Sequence, residues 1–279
     1  MHSKFGSFDL HTHSTFSDGT KTPFELIDMC KAEGMKGFSI TDHDTVSAYS
    51  EEVFAYAKKV DVELISGVEF STAYEKIDDF ESIHILGYNV DVKNETLLSF
   101  CKHHKERRHF RIKKILLKLK TAGFNLSVDE VFFLGKESVG RPHIALCLIE
   151  KGYAKDMKDA FKKFLGERAP YFVQSDMPSI EETIAVIKKA GGKVILAHPV
   201  LIKGQKILRK ILDLYSFDGM ECYYGNFKLS EIEYLLKMAD ERNLLKTGGS
   251  DYHGEHRVFV SMGSSFTIDS KVRLLLSTS

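Results

Sequence analysis

The chain has 279 residues, with 39 Lys and Arg balanced by 39 Asp and Glu, so its formal net charge at pH 7 is zero. This length suits one large domain, or one domain with a sizeable insertion. A neutral chain is not built to coat long duplex nucleic acid, and a chain without a run of about 18 apolar residues is not expected to cross a membrane. Its four cysteines have no paired spacing, which predicts free thiols in a reducing compartment, the cytoplasm.

Strands and helices alternate in the first third of the chain. Thr22 is a suitable N-cap and Pro23 suits a first helical position, which predicts a helix that ends at Gly34. A second helix is predicted over Ala48–Val60. The apolar runs predict strands at Phe8–Leu10, Gly37–Thr41, Val62–Val68 and Ile83–Val90. Alternation of this kind predicts parallel β/α units.

The pattern changes to purely helical periodicity between Leu97 and Ser175. Helices are indicated by an apolar stripe over Ile112–Leu119, by the capping box Ser127–Glu130, and by the ranges Pro142–Glu150 and Met157–Phe164. No convincing strand interrupts them. The segment is therefore predicted to be an α-helical insertion, placed at residues 96–178.

The alternation of helices and strands then returns. Ser179–Glu182 caps a helix, and the following elements are predicted at Lys193–Ala197 (strand), Ile207–Leu214 (helix), Gly219–Cys222 (strand), Leu229–Arg242 (helix) and Leu244–Thr247 (strand). The expected architecture is an α/β barrel in two parts, residues 1–95 and 179–279, on either side of the insertion.

Nine histidine and carboxylate side chains stand mostly at the ends of these apolar runs, where barrel enzymes place their chemistry. They are His11, His13, Asp18, His43, Glu69, His84, His198, Asp251 and His253. His11 and His13 point to the same side of a strand, because side chains alternate. A lone motif of this kind would more simply be a solvated or core histidine. Together, imidazoles and carboxylates predict a site for Zn²⁺, Mn²⁺ or Fe²⁺.

Four motifs carry a family resemblance. H-T-H-S-x-x-S-D-G at His11, T-D-H-D at Thr41, G-V-E at Gly67 and S-D-Y-H at Ser250 resemble the motifs of the PHP (polymerase and histidinol phosphatase) superfamily, and A-H-P at Ala197 is similar too. The match spans about residues 5–95 and 179–267. G-R-P-H at Gly140 in the insertion resembles the stand-alone PHP phosphoesterases that act on nucleotides.

The resemblance implies a distorted (β/α)7 TIM-like barrel with three divalent ions, Mn²⁺ or else Fe²⁺ or Zn²⁺. It implies one ion held by His11, His13, Glu69 and Asp251, a second held by Glu69, His84 and His198, and a third held by Asp18, His43 and His253. Glu69, with two oxygens, would bridge two of them.

The implied reaction is hydrolysis of nucleotide phosphate esters by a metal-bound hydroxide, with removal of the 3′-phosphate of nucleoside 3′,5′-bisphosphates. Three alternatives stay open. They are 5′-3′ exoribonuclease activity on short oligonucleotides, another phosphomonoesterase activity such as that of histidinol phosphatase, and a non-catalytic metal-binding regulatory module. The expected partner is a small nucleotide or short oligonucleotide.

Candidate substrate contacts are less specific. Arg141 can fork onto a phosphate, although an arginine at a helix start is often only a surface residue. His143 could bind phosphate, protonate a leaving oxygen, or serve as a structural imidazole. Tyr223 and Tyr224 end a strand and are predicted to contact substrate. The helix over Lys102–Lys120 is strongly basic and is either a solvated face or a phosphate-binding wall.

Two aspartates flank His43. Asp42 is expected to orient a metal ligand and not to bind metal itself. Asp44 is either a functional carboxylate or the N-cap of the following helix.

Overall fold

The computed structural model describes residues 5–76, 79–225 and 227–276. Within them the chain forms an α/β fold around one seven-stranded sheet whose strands follow sequence order. The strands are β1 Phe8–Thr12, β2 Gly37–Ile40, β3 Glu63–Lys76, β4 Asp79–Tyr88, β5 Lys193–Leu196, β6 Gly219–Tyr224 and β7 Leu245–Gly249. The sheet curls into a nearly closed barrel, because the chain after β7 bonds to β1 through the amide of Asp251, which donates to the carbonyl of His11 at 2.8 Å.

Ten α-helices and several short turns accompany the sheet in the described ranges. They are α1 Pro23–Ala32, α2 Glu51–Lys59, α3 Glu95–Thr121, α4 Val128–Gly135, α5 Arg141–Glu150, α6 Met157–Ala160, α7 Ile180–Lys189, α8 Gln205–Leu214, α9 Leu229–Glu241 and α10 Asp269–Leu276, with a π-helix at Phe161–Leu165 and 3-10 turns at Pro199–Leu201 and Gly254–Arg257. Among the described helices, none combines the length and the apolar character that crossing a bilayer requires.

Helix starts follow the capping signals in the sequence. Thr22 accepts from the amide of Glu25 at 3.3 Å while the Glu25 carboxylate accepts from the Thr22 amide at 2.8 Å, which is the reciprocal pair of a capping box. Ser127 forms the same arrangement at the start of α4. The second helix starts three residues later than predicted, because Ser50 is its N-cap.

Strand direction departs from the predicted parallel units at β4. β1 to β3 pair parallel, and so do β5 to β7, but β4 is antiparallel to both of its neighbours. Its register with β3 runs from Gly67 opposite Tyr88 to Lys76 opposite Asp79. No helix lies between β3 and β4 in the element order. The alternation of apolar residues predicts a strand without its direction, which is why the sequence could not reveal this inversion.

Closure of the barrel depends on a close approach at Gly249, the last residue of β7. A Cβ atom at this position would lie 2.4 Å from both the Cβ and the amide nitrogen of His11. No side chain can be accommodated at that distance, so glycine is required where β7 meets β1. This contact brings the segment after β7 next to the metal-binding candidates of β1.

Apolar side chains form separate clusters in the barrel and in the helical segment. The barrel clusters include Leu10, Phe38 and Leu196, all fully buried. The helical segment from α3 to the π-helix has its own cluster, which contains the predicted stripe and the apolar faces of α5 and the π-helix: Ile112, Ile115, Leu116, Leu119, Ile144, Leu148 and Leu165. The segment thus buries its apolar residues largely against itself.

Candidate metal centre

All nine predicted ligands converge at one mouth of the barrel, with Glu69 at the centre. Oε1 of Glu69 lies 2.8 Å from Nδ1 of His84 and 2.9 Å from Nε2 of His198. Around its Oε2 lie three further ring nitrogens, those of His43 at 3.0 Å, His13 at 3.3 Å and His11 at 3.4 Å. One carboxylate therefore touches five imidazoles drawn from four strands and their following loops.

The remaining ligand candidates close the cluster from the sides. Oδ1 of Asp18 lies 3.3 Å from Nε2 of His253, and Oδ1 of Asp251 lies 3.1 Å from Nε2 of His13. Three groups have ligand atoms close enough to share one ion. They are His13, Asp18, His43 and His253; His11, His13 and Glu69; and His43, Glu69 and His84. The ligand partition implied by the family differs from these groups in detail, since His13 and His43 each belong to two of them.

The donor atoms at the centre fit divalent cations. Among the described residues, five buried atoms in this cluster make no hydrogen bond of suitable geometry: His11 Nε2, His13 Nε2, His43 Nδ1, Glu69 Oε2 and His253 Nε2. Buried polar atoms without partners are costly and rare in folded proteins. Here they converge on common points and are of the types that bind Mn²⁺, Fe²⁺ or Zn²⁺.

Electrostatics keep the carboxylates of the cluster ionised. Burial opposes the charge of Glu69, but the surrounding imidazoles, His43 foremost, hold its pKa well below the usual range. The pKa of Asp18 is likewise held well below its usual range despite burial, chiefly by His253. Burial disfavours the charged ring of His11, yet the neighbouring carboxylates raise its pKa well above the usual value. A cation that binds here therefore displaces protons from imidazoles.

Asp42 holds the loop that carries Asp18. Its carboxylate accepts from the amide of Ser14 at 2.7 Å and from the hydroxyls of Ser14 and Ser17 at 2.5 and 2.6 Å. Gly19 completes this turn, because a Cβ there would lie 2.1 Å from the carbonyl oxygen of His13. The geometry agrees with the expectation that Asp42 orients a ligand.

Asp44 is not a helix cap. Its carboxylate accepts from the amide of Ser71 at 2.7 Å and from Nε of Arg108 at 2.5 Å, and it lies 3.2 Å from Nδ1 of His104. Burial opposes its charge, but Arg108 and His104 hold the pKa of Asp44 well below the usual range. The N-cap alternative is therefore wrong, since Ser50 caps α2 and Asp44 binds side chains of α3.

Glu221 supports the cluster and was missed by the sequence argument. Its Oε1 accepts from Nδ1 of His11 at 3.0 Å, and its Oε2 accepts from the amide of His198 at 2.8 Å. It lies within β6, after the apolar start of a predicted strand, so a positional signal existed. Glu221 was not selected because no histidine or second carboxylate stands beside it in the sequence.

Two further supporting residues have no local signal. Asp9 is fully buried and accepts from the amides of Ser250 at 2.9 Å and Gly263 at 2.8 Å, so it fixes the chain just before Asp251. Arg257, in the 3-10 turn, donates to Oδ2 of Asp251. The contacts of Asp9 join residues far apart in sequence, which no spacing could reveal. Arg257 lies near Asp251 in sequence, but in a turn that the sequence did not predict.

Tyr224 enters the site, but Tyr223 does not. A register shift between Glu221 and Tyr223 in β6 turns Tyr224 inward with Glu221, and the Tyr224 hydroxyl donates to Oδ2 of Asp251 at 2.6 Å. Tyr223 is 37% exposed and lines a second cavity together with Phe227 and Tyr224. The irregularity in β6 places its ring on the other face of the strand, away from Asp251, and its contact with substrate stays a prediction.

A cavity of about 210 Å³ joins the metal-binding candidates to the helical segment. Asp18, His43 and His84 line it on the barrel side. Five guanidinium groups line the rest, those of Arg107, Arg108, Arg111, Arg141 and Arg257. Part of the basic face predicted on α3 therefore points into this cavity and is not merely solvated.

Arg141 and His143 both lie at the start of α5 but play different parts. The guanidinium of Arg141 lies between the rings of Phe161 and Phe172, 5.6 and 5.7 Å from their centroids, and donates to the carbonyl of Leu165 at 3.1 Å. Both ring nitrogens of His143 are engaged by backbone: Nδ1 accepts from Gly140 and Nε2 donates to Ser17. Both nitrogens are thus bonded to the protein, which favours a structural imidazole over the two substrate roles.

Comparisons with known proteins agree with this site. The model of the PHP domain family matches residues 9–247. A 5′-3′ exoribonuclease from Haemophilus influenzae is 34% identical over 88% of this chain and 89% of that protein, and a 3′,5′-nucleoside bisphosphate phosphatase from Chromobacterium violaceum is 30% identical over 88% and 87%. A solved structure from Bifidobacterium adolescentis, inferred to be a metal-dependent phosphoesterase, superposes with a TM-score of 0.85 at 30% identity, covering 96% of this chain and 95% of that one.

The family model covers most of the chain, and relatives of at least 30% identity align with nearly all of it. The cluster of histidines and carboxylates at the barrel mouth supplies the metal-binding groups that such hydrolases need. The chain belongs to the PHP domain family and is a metal-dependent hydrolase of phosphate esters.

Proposed function

We propose that this enzyme removes the 3′-phosphate of nucleoside 3′,5′-bisphosphates. The observation that carries the proposal is the cavity that has ligand candidates at one end and guanidinium groups of α3 and α5 at the other. Such a cavity suits a substrate with two anionic groups, one at the metal cluster and one at the arginines. The phosphatase from Chromobacterium violaceum, at 30% identity, supports the same substrate class.

The non-reacting phosphate binds chiefly to Arg141 and Arg111 in this proposal. Arg141 is held by two aromatic rings and one carbonyl, which fixes its plane and leaves other N–H groups for an anion. Nε of Arg111 donates to the carbonyl of Val173 at 2.9 Å, which orients it in the same way. Among the described residues, neither has a carboxylate within 4.0 Å, so their charges are available to a phosphate.

Three divalent ions, Mn²⁺ in the first instance, are proposed for the cluster. The three overlapping ligand groups and their unpartnered nitrogen and oxygen atoms support this number, with Glu69 as the bridging carboxylate. When bound, such ions neutralise phosphoryl oxygens and lower the pKa of a coordinated water. The protein's part is to fix the ligand directions, through Glu221, Asp42 and Asp9, and to hold the substrate's second phosphate away from the cluster.

The proposed architecture is a distorted (β/α)7 TIM-like barrel made of residues 1–95 and 179–279, with residues 96–178 as an α-helical insertion domain. The separate apolar cluster of the helical segment supports the insertion, and the inverted β4 accounts for the distortion.

We also place the enzyme in the cytoplasm, a proposal supported by four free cysteines.

A second candidate is 5′-3′ exoribonuclease activity on short oligonucleotides. The relative from Haemophilus influenzae carries that name, at 34% identity. The basic face of α3 favours it too, because Arg107 and Arg111 lie along one side of the cavity and could follow a sugar–phosphate backbone. Both activities use the same hydrolytic site and differ in what the cavity admits.

The deciding experiment is phosphate and nucleotide release with Mn²⁺ on a matched set of substrates. The set is adenosine 3′,5′-bisphosphate, adenosine 3′-monophosphate, a short 5′-phosphorylated oligoribonucleotide and histidinol phosphate, with His13→Ala as the metal-site control. The proposal predicts the highest kcat/KM on the bisphosphate. Preference for the oligonucleotide would favour the exonuclease, preference for histidinol phosphate would favour that phosphatase, and no turnover at all would favour a non-catalytic module.

A further inference from the structure

The helical segment holds two of the loops that carry metal-ligand candidates. In the loop after β1, the carbonyl of Ser17, next to Asp18, accepts from Nε2 of His143 at 3.0 Å. Nδ1 of His143 in turn accepts from the amide of Gly140 at 2.9 Å. His143 is 3% exposed, and its two opposite bonds fix both its tautomer and its orientation. Helix α5 is thereby attached to the residue that precedes Asp18.

The second attachment involves the loop after β2. Arg108 of α3 donates to Asp44 and, through Nη2, to the hydroxyl of Ser71 at 3.0 Å. Asp44 follows His43 directly, and its amide donates to the carbonyl of Glu69 at 2.9 Å. Asp44 is buried and its carboxylate contacts the guanidinium of Arg108, so Arg108 is its counter-ion and not a free phosphate ligand. Helix α3 is thereby attached to the residue that follows His43.

Both attachments serve the same ligand group. Asp18 and His43 belong to the group His13, Asp18, His43 and His253. The groups deeper in the barrel are supported from within the barrel, for example by Glu221, which binds His11. The side chains of His43 and Asp18 are 15% and 11% exposed, whereas Glu69 is 1% exposed. Asp18 and His43 line the cavity on the side of the helical segment, and we call this metal position the outer one.

We propose that His143 and the Asp44–Arg108 pair are positioning residues that make the helical segment a part of this outer metal position. Docking of the segment and occupancy of the position are then coupled. The inference rests on the proposed function only in requiring that the cluster binds divalent ions. By thermodynamic reciprocity, whatever holds the segment against the barrel tightens the outer ion, and the outer ion tightens the segment.

The test measures Mn²⁺ binding without substrate, by metal analysis of protein equilibrated over a series of buffered Mn²⁺ concentrations. His143→Ala should weaken one equivalent of bound metal by about 10- to 100-fold, the usual effect of removing a group that orients a ligand. Arg108→Ala should weaken the same equivalent and, because His43 also belongs to the group with Glu69 and His84, at most one other. The equivalent held by His11, His13 and Glu69 should be unchanged in both variants. His143→Gln should restore binding, because an amide can accept from Gly140 and donate to Ser17 as the imidazole does.

Arg111→Ala is the matched control. It removes a guanidinium from the same helix and cavity, but its partner is the carbonyl of Val173 and not a ligand-bearing loop. Its metal content should equal that of the wild type, although its substrate binding should weaken. Full, unchanged metal affinity in both His143→Ala and Arg108→Ala would overturn the proposal, and so would an equal loss of every equivalent.

Hydrogen exchange gives an independent reading that does not depend on the variants' stability. In the wild-type protein, saturation with Mn²⁺ should slow exchange of the amides around Gly140, whose own amide is bonded to His143. Unchanged exchange would contradict the coupling. The two proposals can fail separately. If the wild type binds metal but releases no phosphate from any nucleotide, the proposed substrate is wrong and the positioning role is unaffected. If the wild type cleaves the bisphosphate and both variants keep all their metal, only the positioning role is wrong.

Discussion

The hydroxyl of Tyr224 donates a hydrogen bond of 2.6 Å to Oδ2 of Asp251. Arg257 contacts the same oxygen. The other oxygen, Oδ1, is left facing Nε2 of His13 at 3.1 Å and Nε2 of His11 at 3.4 Å. A carboxylate secured by one oxygen presents the second in a fixed direction, so Tyr224 sets how Asp251 can bind an ion.

Tyr224→Phe should weaken activation by Mn²⁺ by roughly 10-fold or more, because Asp251 loses a bond that orients it. Tyr223→Phe is the control, since the Tyr223 ring points to the other face of β6, away from Asp251. The measurement is kcat/KM against Mn²⁺ concentration for both variants. Equal behaviour of the two tyrosines would contradict the inward orientation of Tyr224.

Glu69→Gln should cost far more activity than Asp42→Asn. Glu69 touches five imidazoles, and the amide can no longer bridge two ions or balance their charge. Asp42 acts one step away, through Ser14 and Ser17, and asparagine keeps one of its acceptor oxygens. Steady-state kinetics with saturating metal would compare them. Two similar, mild losses would remove the case for Glu69 as a bridge.

Removal of metal should abolish turnover and lower the melting temperature together. The cations bind the folded state only, and at 100 times their dissociation constant a single site stabilises that state by about 2.7 kcal/mol. Calorimetry and activity before and after exhaustive chelation, followed by re-addition of Mn²⁺, would measure both effects. Unchanged melting and turnover after chelation would show that the cluster does not bind structural or catalytic metal.

Arg141→Ala should discriminate between substrates with one and with two anionic groups. A bisphosphate should lose about 2–3 kcal/mol of transition-state binding, the value of a charge-assisted hydrogen bond. A simple aryl phosphate, bound through the metal cluster alone, should be almost unaffected. Comparison of kcat/KM on the two substrates shows which phosphate Arg141 binds. A uniform loss would mean that Arg141 contacts the reacting phosphoryl group, and no loss on either would return it to a surface residue.

The cysteines should resist alkylation in the native protein. Burial raises the pKa of Cys30, Cys101 and Cys222 to about 12 and that of Cys147 to about 11. At pH 8 all four therefore remain thiols, which are poor nucleophiles. Mass spectrometry after iodoacetamide treatment should find little modification until the protein is denatured. Rapid reaction of the native protein at one cysteine would identify an activated thiol that the structure does not account for.

The nine ligand candidates could be predicted because each stands at a position that apolar runs make recognisable. Strand ends are local features, and His11 with His13 or Asp251 with His253 are short-range pairs. Glu221 had only its place after an apolar run as a signal, because its importance lies in a contact with His11 that the closed barrel creates. Arg257 lies near Asp251 in sequence, but no predicted element marked it. The side to which the Tyr223 ring points could not be predicted either, because a shift of register in β6 reverses it.

In the fold too, features set by local signals could be predicted and features set by long-range pairing could not. The caps at Thr22 and Ser127 and the apolar stripe of α3 placed helices correctly, because these signals act within a few residues. The antiparallel run of β4 escaped prediction, since direction is decided by pairing with β3 and β5. His84 consequently reaches Glu69 from a strand that runs opposite to its neighbours.

The five arginines around the cavity belong to a chain whose formal charge is zero. The protein as a whole therefore exerts little long-range attraction on a nucleotide. Arg108 and Arg257 are paired with Asp44 and Asp251, so the positive charge available to an anion at the opening is chiefly that of Arg111 and Arg141. Attraction of this kind acts over roughly the Debye length, about 10 Å at 0.1 M salt, so it guides an anion only in the last stage of its approach. Electrostatic attraction therefore guides the substrate only near the opening. A nucleic acid that cannot enter the opening is not bound more tightly because of these arginines.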